Sequence, residues 1–213
     1  MYVPAGSYLS MPTDIVPYRD DSVLGKYQTY DFKGYSASNN NEGPAIDLTT
    51  IKSNRNLIFY AYYGNPVDVR EIIHPEYFRA SNSNYRETAA WGDSTYNIED
   101  GVELTLIKPV KGKLTIPAFI NDKPVLKLIS GFNTMGKDLT YVFFQSGSQL
   151  RTIGYECFAN NKKLKEVEFP ESLRRIDESA FNGCSSLLLT NGHLSKNLAY
   201  VGASAFNSAF DNT

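Results

Sequence analysis

Cysteine, histidine and tryptophan are scarce, at two, two and one in 213 residues. Cys157 and Cys184 alone cannot staple a disulfide scaffold, and both are expected to be reduced thiols. An excess of either charge is lacking as well. Twenty-one basic residues stand against 23 acidic ones, a net charge of -2, which leaves no electrostatic footprint for a nucleic acid or an anionic membrane. No apolar run approaches the roughly 20 residues needed to span a bilayer. The opening "MYVPAGSYLSMPTDIVPYRDD" carries Pro4, Pro12 and Pro17 and has neither a basic nor an apolar signal region, so it does not read as an export signal. The expectation is a soluble product without membrane insertion. GxSxG, HExxH and glycine-rich phosphate loops are absent too, so no cofactor or metal is expected and the chain is not read as an enzyme.

What is present is tyrosine and repetition. Twelve of the 15 tyrosines precede residue 100, which suits half-buried strands and also binding surfaces. In the second half, Ile153, Ile176 and Val201 fall 23 and 25 residues apart, and Phe158, Phe181 and Phe206 keep the same steps. Leu150, Leu173 and Leu198 follow suit, while Leu139, Leu164 and Leu187 repeat at 25 and 23. A period of this size marks a solenoid, whose units are too small to bury their own apolar faces and so stack on their neighbours. Within a unit, "LKEVEF" spaces Leu164, Val167 and Phe169 as an extended segment, and Pro170 ends it because it cannot donate to a ladder. "SLRRI" supplies a second short strand or turn, "ESAF" delivers Phe181 to the core, and Cys184 packs in the "FNGC" slot.

"YNIEDGVELTLIKPVKGKLTIPAFINDKPVLKLI" followed by "IGYECFANNKKLKEVEFPESLRRIDESAFNGCSSL" resembles the BspA-like leucine-rich repeat family, whose units read IGxxAFxxCxxLxxVxIPxxLxxI. The resemblance runs over about 96–213 and implies a short leucine-rich repeat solenoid. Three departures stand out: "LISGF" where IGxxAF is expected, Asn161 where cysteine is common, and two extra residues in "LLLTNGHLSKNL". Earlier in the chain, "YDFKGYSASNNNEGPAIDLTTIKSNRNLIFYAYYG" resembles the later part of an internalin B-repeat, also called the Listeria-Bacteroides repeat, with Tyr35 and Tyr63 where that family prefers tryptophan. The implied fold class is mainly β: an extended segment (1–20), a small β-grasp-like module (21–64), a connector (65–95) with a possible short helix at "VDVREII", and the repeat domain (96–213). Trp91 is expected to plug the end of the solenoid.

By register with Leu164, Val167 and Phe169, the side chains of Leu139, Val142 and Phe144 should point inward, and those of Tyr141 and Phe143 outward. Tyr141 and Phe143, with Glu166 and Glu168 of the next unit, are the candidate partner-binding residues, unless the preceding module or connector covers them. Cys157 lies off the "FNGC" slot and is the thiol expected to be exposed and reactive. A metal site from Cys157, Cys184 and His193 has no recognised ligand spacing, and His193 reads as solvated. His74 with Glu71 or Glu76 invites an alternative reading as a hydrolase or transferase. The preferred reading is a non-catalytic interaction protein that binds a protein or a glycan. The chain stops at "AFNSAFDNT", about where another strand is due, so its end is expected to be covered in a larger assembly or homo-oligomer. That favours a bacteriophage virion component, with a bacterial cell-surface adhesin as the alternative.

Overall fold

In the computed structural model the described residues are Leu24, 27–36, 60–88, 95–188 and 194–209. The chain divides into two compact units between Asp68 and Val69.

In the first unit β1 (Gln28–Ser36) pairs antiparallel with β2 (Tyr60–Asp68), from Gln28 opposite Asp68 to Ser36 opposite Tyr60. Aromatic side chains hold the pair together. The Tyr63 ring meets those of Phe32 and Tyr30 edge-on at 5.7 and 6.5 Å, and Phe32 also meets Tyr35 at 5.4 Å. Burial pushes the Tyr35 hydroxyl above its ordinary pKa. Of the module expected over 21–64, the Asn39–Gly43 loop and the "IDLTTI" segment lie outside the described residues.

In the second unit, "VDVREII" forms a single 3-10 turn at Val69–Glu71 in place of a helix, and a second turn spans Pro75–Tyr77. The stretch read as connector then continues into β3 (Phe78–Thr88), an eleven-residue strand antiparallel to β4 (Thr95–Leu106). Trp91, between the two strands, lies outside the described residues. Next come β5 (Lys111–Ile116), the short hairpin β6 (Phe119–Ile120) and β7 (Lys123–Ser130), and β8 (Asp138–Phe144). The two-residue strands β9 (Thr152–Ile153), β10 (Glu166–Val167), β11 (Arg175–Ile176) and β12 (Tyr200–Val201) complete the order.

Two sheets result. The larger runs β12-β11-β9-β7-β4-β3, parallel from β12 to β4, with β3 antiparallel at its edge and β6 paired to β7; the smaller is the parallel set β10-β8-β5. Parallel neighbours 23–25 residues apart, as Ile153, Ile176 and Val201 are, mean that each coil lays one short strand on the last. Leu128, Ile153 and Ile176 from the large sheet meet Leu114, Val142 and Val167 from the small one in a single apolar cluster.

The turn after each large-sheet strand explains why the period is kept. Gly154, Asp177 and Gly202 each donate their backbone N–H back to the preceding coil, to Leu128, Ile153 and Ile176 oxygens at 2.8 Å. A few residues later the direction reverses: Phe158 and Phe181 donate forward to Ala180 and Ala205 at 2.8 and 2.7 Å, and Asn160 and Gly183 to Asn182 and Asn207 at 2.7 and 2.8 Å. Making both sets requires left-handed backbone at matching positions, Glu156, Ser179 and Ser204 (φ 49°, 56° and 55°) and Asn160, Gly183 and Ser208 (φ 62°, 74° and 50°). Between the turns the phenylalanine rings form a column. Phe132 and Phe158 are 5.0 Å apart, and Phe158, Phe181 and Phe206 stack nearly parallel at 5.2 and 5.3 Å.

Most of the expected core positions are buried: Leu139, Val142, Leu150, Ile153, Phe158, Leu164, Val167, Leu173, Ile176, Phe181, Cys184 and Leu187. Phe144, Phe169, Leu198 and Phe206 are partly buried against them. Val201 departs from the expectation. It continues the isoleucine column, yet it is 49% exposed because no described coil stacks beyond it.

Candidate interaction surface

The outer face of the small sheet carries two rows of side chains. Lys113, Tyr141 and Glu166 stand side by side on β5, β8 and β10. Thr115 and Phe143 form the second row, which Glu168 continues by donating its N–H to the Val142 oxygen at 3.0 Å. Tyr141 and Phe143 stack with their rings 6.2 Å apart and 9° from parallel.

Phe143 is nevertheless only 1% exposed, which corrects its assignment as an available contact. Thr115, its neighbour in register, donates its hydroxyl to the Val69 oxygen at 2.8 Å, and Val69 is itself buried. The 3-10 turn at Val69–Glu71 thus lies over this part of the face. Tyr141, Glu166 and Glu168 remain partly exposed, so the surface open to a partner is the Tyr141 row and the Glu168 end of the second.

Neither thiol is placed for chemistry. Cys157 is fully buried, and burial holds its pKa well above the ordinary thiol value, which overturns its reading as the reactive cysteine. Position 157 is equivalent to Ala180 and Ala205, both buried, so it is a small-residue slot against the next coil. Alignment with those alanines at steps of 23 and 25 is the signal in the sequence that would have identified it. Cys184 is pushed up to about 12 by burial and donates its Sγ–H to the Phe158 oxygen at 3.1 Å. One coil earlier Asn161 occupies the same slot, and its amide donates to the Phe132 and Gly136 oxygens at 3.0 and 3.2 Å. The substitution of asparagine for cysteine therefore preserves a donor to the phenylalanine carbonyl of the coil before. It also leaves the buried Asn161 Oδ1 without a partner among the described residues.

His74 sits at the second 3-10 turn, its Nδ1 3.1 Å from Glu76 Oε1 and its ring stacked on Tyr77 at 4.5 Å. Among the described residues these are the only side-chain partners of His74, so no nucleophile is brought to it. The side chain of Glu71 and all of His193 lie outside the description. No three acidic, histidine or cysteine side chains among the described residues converge as metal ligands, and no described helix is long and apolar enough to cross a membrane.

With parallel coils, a phenylalanine column and a donor slot in place, comparison with known families gives a direct match. Residues 131–212 match the BspA type leucine rich repeat region, in six copies. Over those residues the chain is similar to that family; the second unit is by its own geometry a short solenoid of parallel strands, and the described residues are mainly β. The crystal structure of the T. pallidum leucine rich repeat protein aligns with a TM-score of 0.47 and 19% identity, over 63% of this chain and 66% of that one, slightly under two thirds of its length. No curated protein matches the chain. The leucine-rich repeat match begins at Gly131, so it leaves the β1–β2 unit unassigned.

Proposed function

We propose that the chain is a non-catalytic interaction protein, and that its leucine-rich repeats hold a binding face toward a protein or a glycan at a bacterial cell surface. One observation carries this reading: the recurring side chains are spent inward on stacking, so what differs from coil to coil is the outer face, as in the row Lys113, Tyr141 and Glu166. Surface placement follows the habit of BspA-type repeats. A virion placement has no comparable observation behind it.

Binding of the purified chain to a panel of immobilised glycans and surface proteins tests the reading, alongside the variants Tyr141→Ser and Glu166→Lys. A ligand retained by the wild type and lost by both variants supports it. Turnover of any panel member that vanishes in His74→Ala refutes it. Labelling of intact cells with antibody against the chain decides the location, and a signal only after lysis would count against a surface protein.

A further inference from the structure

The outer face of the large sheet carries a row in register: Glu103 on β4, Lys127 on β7, Thr152 on β9, Arg175 on β11 and Tyr200 on β12. The three middle members are all hydrogen-bond donors, and of them only Arg175 has a side-chain acceptor among the described residues, the Asp177 carboxylate. Lys127 has no ion pair or hydrogen bond to a described side chain. Thr152 is 2% exposed, and its hydroxyl has no partner among the described residues. Arg175 gives its Nε to Asp177 and lies over the Tyr200 ring, 3.9 Å from its centroid, with its terminal nitrogens unused among the described residues.

A buried hydroxyl without a partner is less favourable than an apolar group of the same shape. Here it is held between two cations whose strands lie about 10 Å apart, two sheet spacings. A planar anion is a group that has acceptors for a hydroxyl, an ammonium and a guanidinium fork together.

We propose that Lys127, Thr152 and Arg175 form a carboxylate site and that the ligand is an acidic saccharide. This rests on reading the repeats as a binding module and adds a second face and a ligand class to it. Glu103 and Asp177 flank the row, which admits one carboxylate and repels a dense polyanion such as a nucleic-acid backbone. An acidic peptide is the poorer fit, because peptides add to sheets through main-chain bonds at an edge. The row crosses β7, β9 and β11, whose main chains are already paired on both sides. Tyr200, 43% exposed at the end of the row, offers an amphipathic ring on which a sugar face can rest.

Titration calorimetry with oligogalacturonate, its methyl ester and oligoglutamate tests the site. Oligogalacturonate should bind, and the ester should bind about tenfold more weakly or worse, as should the acid to Lys127→Ala or Arg175→Ala. Thr152→Val should bind more weakly while melting no lower than the wild type, since only an unsatisfied hydroxyl is removed. Tyr141→Ser should bind oligogalacturonate as the wild type does, which separates this site from the small-sheet surface. Equal binding of acid and ester, no binding of the acid, or full binding by the well-folded Thr152→Val would overturn the proposal. Oligoglutamate binding as tightly as oligogalacturonate would overturn its saccharide part.

Discussion

Phe181 is fully buried, with Phe158 and Phe206 stacked on its two faces and Phe169 edge-on at 5.7 Å. Truncation to alanine removes those contacts and opens a cavity that two neighbouring coils cannot both close, so Phe181→Ala should cost about 3–5 kcal/mol in urea unfolding. The buried thiol of Cys184 makes a pH-dependent prediction. Unfolded, it ionises from its ordinary value of 9.0; folded, not until about 12. Stability from this group is fully present below pH 9 and is lost as pH rises through 12, because the unfolded chain releases the proton first. Urea midpoints taken at neutral pH and at about pH 10.5 should therefore converge for wild type and Cys184→Ala as pH rises. The phenylalanine column was legible in the sequence because one residue type recurred at a fixed step. Cys157 was misread because a cysteine in a slot otherwise held by Ala180 and Ala205 looked like chemistry when it was packing.

At the scale of elements, the short parallel strands were legible from LxxI and LxxVxF spacing, whereas β3 was not. Its "FRASNSNYRET" is rich in serine and asparagine, which carry little strand propensity and give edge strands a polar rim. The same segment hid the cover over Phe143, since nothing in "VDVREII" says that Val69 will receive the Thr115 hydroxyl from 46 residues away. Placing a charge in that contact should undo it. Val69→Asp is expected to lower the melting temperature and to raise binding of an apolar dye, because a buried carboxylate without a partner is strongly disfavoured and Phe143 is uncovered with it. An unchanged melting temperature and no added dye binding would mean that the turn is not what shields Phe143.

For the molecule as a whole, stacking makes stability a sum of nearest-neighbour terms, so coils with neighbours on both sides are held best. Amide hydrogen exchange should be slowest around Ile153, Phe158 and Ile176 and fastest in the coil of Val201, where one neighbour is lacking among the described residues. Protection as strong at Gly202 as at Gly154 would contradict this. The alternating direction of the inter-coil bonds, backward from the strands and forward from the turns, bears on how the domain would respond to force. Tension drawn from the far side of β12 would reach those bonds one coil at a time, like tape lifted from a roll. Each release would pay out about 80 Å of slack for some 24 residues of extended chain. A solenoid opened in that way yields in small successive steps, each at a lower load than a fold whose bonds must all give way at once.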